Sequence, residues 1–483
     1  MSLPFAIDPR SWSPRLSRRD WLRIGGLSSC GLAAQIWSGG TQTKATEPAG
    51  SPSRQSGFGQ AKSVIVLYAS GGQSQLDTWD PKPNAPQGIR GEFQSIATSL
   101  PGVRVCEHMP RLARLAHLYT IIRTMSHDDL DHGSATYLSL TGQFHPQKTS
   151  NPLPHSDDAP TLGAILPRVR PSERFPYSAV NINGPLLIPE LPSPGQYGGF
   201  LGRQHEPLIL GDVTDSTTSF TGLDPQPDLP IPRQSSRTSL LDAIDRARWR
   251  FAANRSTGEW NELYRQARSL LDSPRYRDSF DLSQESDTVR DRYGRFRAGQ
   301  ACLLAKRLVE AGVPLITVFL SHSSRGQDLS PQETERYGWD THNDIFYAMK
   351  QHLLPRFDIC FSALLEDLDR SGLLESTLVI CMGEFGRAPQ VALEPNFAGS
   401  TPGRKHWAAT YSIVMAGAGV KRGHIVGVSD RIAAYPETNP YFPGDIAATI
   451  FAALGINPSQ HYTDNSGRPW PMATGKPIRE LYG

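Results

Sequence analysis

Acidic and histidine side chains follow two apolar, β-branched runs of this chain. The run Thr377–Met382 leads directly to Glu384, and His406 follows after a loop rich in Pro and Gly. Asp340 and His342 come after a second apolar run. Because the carboxyl ends of parallel strands meet at one edge of a sheet, we expect these four side chains to lie close together. Carboxylates and imidazoles in such a place predict a metal or phosphate site.

The segments around these residues alternate between strand-like and helix-like patterns. Strands are predicted at 63–68, 120–123, 314–320, 377–382 and 410–415, and helices at 134–140, 287–311, 344–370 and 444–454. Strands separated by helices predict a mostly parallel central sheet covered on both faces, which is a three-layer α/β fold. Residues 61–483 are expected to form this domain. Within it, 143–282 reads as a loop-rich insertion with one helix at 239–254, since prolines cluster there.

The composition limits the class of protein. The chain has 483 residues, a net charge of +2 and 20% charged residues, which argues against a nucleic-acid binder that works through bulk charge. Its 43 Gly and 40 Pro predict long, turn-rich loops. Five cysteines are scattered without a CxxC pair, so buried free thiols are expected, with one disulfide as the alternative.

The N-terminus resembles a twin-arginine export signal. Arg18 and Arg19 are followed by Trp21 and Leu22, and then by a modestly apolar, glycine-rich stretch, 24–37. That stretch is too short to span a bilayer stably, so no transmembrane helix is predicted. We therefore expect a signal peptide at 1–45, a linker at 46–60, the twin-arginine translocase as a partner, and a periplasmic or cell-surface location.

Several motifs in one order closely resemble an exported bacterial family known as domain of unknown function 1501. The matching segments are Gly71–Asp80, Ser126–Gly133, Trp339–His342, Gly383–Arg387, Gly403–Trp407 and Phe442–Thr449. The similarity covers essentially residues 60–483. This family looks like a branch of the alkaline phosphatase and sulfatase superfamily, which implies an alkaline-phosphatase-like fold.

The resemblance also implies a set of metal ligands. Asp340, His342 and His406 are expected to hold one divalent ion, with Glu384 and Asp77 as further candidates. Zinc suits this mixture of ligands, with manganese or calcium as alternatives. The competing interpretation is that Asp340 caps the next helix while the histidines merely pair with it. A second metal site is weaker, since Ser70–Gly72 stand where the superfamily has an Asp after the first strand, and Phe385 replaces another of its ligands.

The nucleophile of the superfamily lies at the start of a helix that ends in Thr-Gly. Counting back from Thr141 and Gly142 by the same interval reaches His132, with Ser134 two residues further on. His132 is therefore a candidate nucleophile, extra ligand or general acid–base, and Ser134 a candidate nucleophile if the turn is shifted. The alternative is a hydrogen-bonded cap in which the acidic and histidine side chains of 127–132 bind the start of the helix.

Three basic residues beside these motifs are candidates for holding an anionic substrate. They are Arg387, Arg404 and Lys405, and a guanidinium grips phosphate or sulfate with two parallel hydrogen bonds. The alternative for each is an ion pair on the loop surface.

Taken together, the sequence predicts an exported, metal-dependent hydrolase of phosphate or sulfate esters, with Glu384, His132 and Ser134 as its catalytic candidates. An anionic ester, such as a sulfated or phosphorylated glycan, is the expected substrate. The first alternative is a periplasmic or surface binding protein that kept the fold without the activity. The second is a phosphotransferase or isomerase on the same scaffold.

Overall fold

An eight-stranded sheet forms the centre of the protein, whose computed structural model describes residues 58–214, 255–326 and 332–482. The strands of the described residues are β1 (Ser63–Tyr68), β2 (Ser95–Ala97), β3 (Arg104–Cys106), β4 (Tyr119–Met125), β5 (Ala179–Ile182), β6 (Leu208–Leu210), β7 (Leu315–Phe319), β8 (Thr377–Met382), β9 (Gly386–Arg387), β10 (His406–Trp407), β11 (Tyr411–Ala416), β12 (His424–Val426), β13 (His461–Thr463) and β14 (Pro469–Pro471).

The central sheet is mostly parallel. Its order is β12-β4-β11-β8-β1-β7-β5-β6, and only β11 runs antiparallel to its neighbours. Strands β1, β7 and β8 are apolar and buried on both faces, as expected for a parallel sheet that helices cover on both sides.

Helices pack against both faces of this sheet. The α-helices of the described residues are α1 (Gln87–Arg90), α2 (Pro110–Arg114), α3 (His132–Thr141), α4 (Leu162–Val169), α5 (Arg255–Asp272), α6 (Pro274–Phe280), α7 (Asp287–Tyr293), α8 (Arg297–Ala311), α9 (Ile345–Ala348), α10 (Leu354–Arg370) and α11 (Pro443–Ala453). Ile65 and Leu67 of β1 belong to one core with α8 and α10, whereas Val64 and Val66 belong to another with α4 and α11. The predicted three-layer α/β fold is confirmed.

Several helices differ in the structure from the predicted segments. The helix predicted at 287–311 is divided into α7 and α8, because Gly294 between them has a φ of 89°, outside the helical region. The helix predicted at 344–370 consists of α9, a π-helical turn at Met349–Leu353, and α10. The helix predicted at 239–254 and the signal segment 1–45 lie outside the described residues.

The region 143–282 is more than a loop-rich insertion. It supplies β5 and β6, and β5 pairs in parallel with β7 over four residues. These strands are only four and three residues long, so their apolar pattern is too short to stand out among the surrounding prolines.

Within the described ranges, no helix combines the length and apolarity that a membrane crossing requires.

The four described cysteines are free thiols inside the core. Cys106, Cys302, Cys360 and Cys381 are all buried, which confirms the expectation of unpaired thiols for these four. Burial raises the pKa of the Cys106 and Cys381 thiols, so both stay protonated and unreactive at neutral pH.

We predict that a Cys30→Ser variant of the full chain will show no reactive thiol in its native state. After denaturation, the same variant should release the four thiols that the fold buries. The measurement is titration with a chromogenic disulfide reagent with and without guanidinium. Rapid native labelling would contradict the buried positions of these side chains.

Candidate metal centre

The carboxyl ends of the central strands bring the predicted residues to one edge of the sheet. Tyr68 at the end of β1 lies in register with Phe319 of β7 and with Met382 of β8. Glu384 follows β8 by two residues, and the chain leaving β7 returns to this edge at Trp339, whose N–H donates to the carbonyl of Ser70. Asp340 therefore lies beside the turn that carries Glu384.

The hairpin of β9 and β10 brings the last histidine to the same place. In this two-stranded sheet His406 pairs with Arg387. His406 thus lies above the strand ends, and the loop between the two strands returns to the edge as the sequence suggested.

Three ligand atoms form a small triangle at this edge. The Nε2 atoms of His342 and His406 are 2.9 Å apart, and each lies 3.2 Å from Oδ1 of Asp340. Neighbouring ligands around a tetrahedral zinc ion with bonds of about 2.0 Å are roughly 3.3 Å apart. The triangle therefore has the size of one face of such a coordination sphere.

The two histidines of the triangle are suited to bind a cation as neutral imidazoles. Burial and the charge of His132 lower the pKa of His406 to about 3, and burial lowers the pKa of His342. His406 Nδ1 lies 2.6 Å from the carbonyl oxygen of Leu130. Because a carbonyl oxygen only accepts hydrogen bonds, Nδ1 of His406 carries the ring proton. Its Nε2 atom therefore carries a lone pair that faces Asp340, an arrangement typical of metal-binding histidines.

His132 adds a third imidazole to the group. Its Nε2 atom lies 3.2 Å from Oδ2 of Asp340, and ligand atoms of His132, Asp340 and His406 all lie within 4.8 Å of one another. Burial by itself lowers the pKa of His132, but Asp340 and Glu384 outweigh it and raise the pKa to about 9.

Glu384 holds His132 in place from behind. Its Oε1 atom lies 2.6 Å from Nδ1 of His132 and also accepts the N–H of Gly71 at 2.7 Å. The carboxylate is fully buried, and its Oε2 atom has no hydrogen-bond partner among the described residues. Glu384 therefore orients the His132 imidazole, as carboxylates that are hydrogen-bonded to metal-binding histidines do.

At the start of α3, the N–H groups of Gly133 and Ser134 are not free to bind an anion. His132 is the first residue of the helix, as the counted interval predicted. The next two N–H groups, of Gly133 and Ser134, already donate to the Asn151 side chain and to the carbonyl of Ser150. Asp131 precedes the helix, but its side chain makes no capping hydrogen bond.

Ser134 is not positioned as a nucleophile. Its side chain is fully buried, its hydroxyl donates to Oδ1 of Asp129 at 2.8 Å, and it accepts the N–H of Ser150. This hydroxyl fastens the loop before α3 to the segment after it, because a buried hydroxyl needs partners.

Arg387 is an interior cation and does not face a substrate. Its side chain is fully buried, and its guanidinium donates to the carbonyl groups of Gly71, Gly72 and Arg404. It also donates to Oδ1 of Asp340 at 2.6 Å. The charges of His132 and Arg387 outweigh the effect of burial and hold the pKa of Asp340 well below its usual range.

Asp77 and Arg404 form a second buried pair, away from the triangle. Arg404 Nε lies 2.7 Å from Oδ2 of Asp77, and its Nη2 lies 3.1 Å from Oδ1. Both side chains have no exposed surface. The structure therefore does not bring Asp77 to the triangle, nor Arg404 to an exposed surface, because each satisfies the charge of the other.

Lys405 alone of the three basic candidates is exposed. Its Nζ atom lies 3.1 Å from Oε1 of Glu394, and 64% of its side chain is accessible. An ion pair this exposed adds little to stability, so Lys405 is the basic candidate that remains open to a ligand.

Two residues that the sequence analysis did not single out complete this edge. Asn343 is fully buried directly after His342, and Phe397 stacks on the His342 ring with centroids 3.7 Å apart. The proximity of Asn343 to the Asp340–His342 motif was the available signal, whereas nothing around Phe397 in the sequence marks it.

The fold and the site define an α/β protein with a candidate His/Asp metal centre at the carboxyl edge of its sheet. Residues 61–482 match the family model described as "Protein of unknown function (DUF1501)". The chain belongs to this family, which confirms the resemblance inferred from the motifs. No curated protein matches the chain.

Three solved structures that match the chain have low similarity to it. Ps i-CgsB in complex with k-i-k-neocarrahexaose is 13% identical, with 82% of this chain and 72% of that chain covered and a TM-score of 0.38. The lipoteichoic acid synthase LtaP from Listeria monocytogenes is 12% identical, with 83% and 74% covered and a TM-score of 0.36. The phosphonate monoester hydrolase SpPMH from Silicibacter pomeroyi is 12% identical, with 86% and 75% covered and a TM-score of 0.37. Similarity at this level carries no inference about activity.

We predict that the full chain binds a divalent metal through the triangle. The Asp340→Ala and His406→Ala variants should lose most of the bound ion, because each removes one of three converging ligands. Elemental analysis of the purified proteins, after loading with zinc, manganese or calcium, measures this. His461→Ala is the matched control, since His461 is exposed on β13. Equal metal content in all four proteins would contradict the assignment.

We also predict that Asp77→Ala destabilises the protein by about 3–5 kcal/mol, because it leaves the buried Arg404 charge unpaired. Chemical denaturation measures the change, and the double variant Asp77→Leu, Arg404→Met should recover much of it. Metal content per folded molecule should stay the same in Asp77→Ala. Lys405→Ala, which breaks an exposed pair, should change stability by less than about 1 kcal/mol.

Proposed function

We propose that this protein is an exported, metal-dependent hydrolase of phosphate or sulfate esters. The observation that carries the proposal is the triangle of Asp340 Oδ1, His342 Nε2 and His406 Nε2 beside the imidazole of His132. Three protein ligands with room for one more group are typical of catalytic zinc sites, whereas structural zinc sites have four protein ligands. The resemblance of the motifs to the phosphatase and sulfatase superfamily supports the choice of ester.

Asp340, His342 and His406 would hold the divalent ion, for which zinc suits the ligands best. When bound, such an ion polarises an ester oxygen and increases the acidity of water. The surrounding side chains fix the position of the Asp340 ligand. The Arg387 guanidinium and the three imidazoles surround the Asp340 carboxylate, so its two oxygen atoms keep one orientation.

His132 is the general acid–base of the proposed reaction. Glu384 Oε1 accepts a hydrogen bond from the Nδ1–H group of His132. The other ring nitrogen, Nε2, therefore faces Asp340. When Nε2 is protonated, it can donate this proton to the leaving oxygen of an ester. When it is deprotonated, it can accept a proton from water. Glu384 acts through His132, because its own carboxylate is fully buried.

The N-terminal segment supports export as part of the proposal. Arg18 and Arg19 precede Trp21 and Leu22 in the order of a twin-arginine signal. The substrate would then be an ester outside the cytoplasm, for example on a sulfated or phosphorylated glycan.

A non-catalytic binding protein is the second candidate, and one observation favours it. Arg387 and Arg404 are fully buried, and the first N–H groups of α3 are already bound to 150–151. The chain therefore offers its substrate fewer anion-binding donors than the superfamily comparison implied. A binding protein would need only the exposed Lys405 and the metal.

We predict that the metal-loaded full chain hydrolyses p-nitrophenyl phosphate, bis-p-nitrophenyl phosphate or p-nitrophenyl sulfate. His406→Ala should abolish turnover together with metal binding. His132→Asn should keep the metal and lower kcat by about 100-fold or more, since it removes the proton at Nε2. Release of p-nitrophenol and metal content are measured on the same samples.

His461→Ala serves again as the control and should match the wild type. Stoichiometric metal without turnover on any of the three esters would favour the binding protein. Loss of the metal in His132→Asn would instead make His132 a fourth ligand and remove its role as the acid–base.

A further inference from the structure

Two exposed apolar side chains flank the histidines of the candidate metal centre. Leu130 is 42% exposed and Phe397 is 47% exposed, although most large apolar side chains in the described ranges are buried. Given the function proposed above, we propose that Phe397 and Leu130 form a subsite for the alcohol part of the ester. This subsite would select substrates whose alcohol carries a flat, apolar ring face, either an aryl ring or a saturated sugar-like ring.

Phe397 lies directly against a metal-binding imidazole. Its ring stacks on the ring of His342 with an interplanar angle of 6°. One face of Phe397 is therefore covered by His342, and the remaining surface accounts for its exposure. An aromatic side chain that stays half-exposed beside a polar centre is the usual lining of a ligand pocket.

Leu130 borders the centre next to His406. Its carbonyl oxygen accepts a hydrogen bond from Nδ1–H of His406, which fixes the backbone of Leu130 next to this histidine. Because the Nε2 atoms of His342 and His406 are 2.9 Å apart, Phe397, which stacks on His342, and Leu130, which binds His406, both adjoin one small polar patch. A charged group bound at the patch would therefore lie close to both apolar residues.

The loop that carries Phe397 is held by the same segment that supplies the metal ligands. The side-chain amide of Asn343 donates to the carbonyl groups of Glu394, Phe397 and Ala398, and its oxygen accepts the N–H of Glu394. The next residue, Asp344, accepts the N–H groups of Ser400 and Thr401. These bonds fix the loop from 394 to 401 against His342.

The packing of this loop leaves little freedom for Phe397 to move away. Gly399 has a φ of 112°, and a Cβ atom there would lie 2.6 Å from Cβ of Asn343. A pre-formed apolar wall loses less entropy on binding than a mobile one, so it can discriminate between ligands that differ only in their apolar part.

The test compares the binding of three phosphonates, which keep the anionic group but resist hydrolysis. They are phenylphosphonate, cyclohexylphosphonate and methylphosphonate, and calorimetry on the zinc-loaded full chain gives their affinities. We expect the two ring compounds to bind about 3- to 10-fold more tightly than methylphosphonate. Tighter binding of the phenyl compound would indicate an aryl alcohol, and tighter binding of the cyclohexyl compound a saturated ring.

Phe397→Ala should keep its zinc and lose this preference. Phe144→Ala is the matched control, because Phe144 is 40% exposed and packs against Phe442. A preference that survives in Phe397→Ala would overturn the proposal, as would a wild type that binds all three compounds equally or none. Loss of zinc in Phe397→Ala would also overturn it, since Phe397 would then act only through His342.

The measurement separates this inference from the proposed function. A ring preference in a protein without turnover would refute the hydrolase and retain the subsite. Turnover without a ring preference would retain the hydrolase and refute the subsite.

Discussion

Four positively charged or imidazole groups converge on the carboxylate of Asp340, and the edge of the sheet is arranged around this contact. His132 approaches one oxygen atom, whereas His342, His406 and Arg387 approach the other. A carboxylate enclosed in this way is stable only if its partners match its charge, because burying an ion without compensation is costly. Each partner comes from a different part of the chain, so the contact joins α3, β9, β10 and the loop after β7. The chemistry proposed for the site and its structural integrity therefore rest on the same group.

Two buried arginines, Arg387 and Arg404, stabilise this edge of the sheet from the interior. Arg387 joins the loop after β1 to Asp340, and Arg404 neutralises Asp77. Both donate further hydrogen bonds to backbone carbonyl groups. The planar guanidinium suits this task, since it carries five donors in a fixed geometry. If the protein has the proposed function, their burial leaves Lys405, the proposed metal and the apolar residues around His342 and His406 to recognise the substrate.

The sequence predicted that the acidic and histidine side chains at the strand ends would lie close together, because parallel strands end at one edge of the sheet. Asp340, His342, His406 and Glu384 follow strands that the apolar runs identified, and these side chains meet in the structure. The position of His132 at the start of α3 was also predictable from the interval to Thr141. In contrast, β5 and β6 were hidden in the region 143–282, since a strand of three or four residues has too little pattern to recognise.

The sequence by itself determined the fold class, the family and the set of residues near the site. Apolar periodicity specifies the strands and helices, and the order of the motifs along the chain identifies the family. Only the tertiary structure decided the partner of each polar group. Asp77 binds Arg404, Ser134 binds Asp129, and Glu384 orients His132, although all three had seemed free to bind a metal or attack a substrate. The physical reason is that burial and pairing depend on groups far apart in the chain, and a buried polar atom takes the nearest suitable partner that the fold provides.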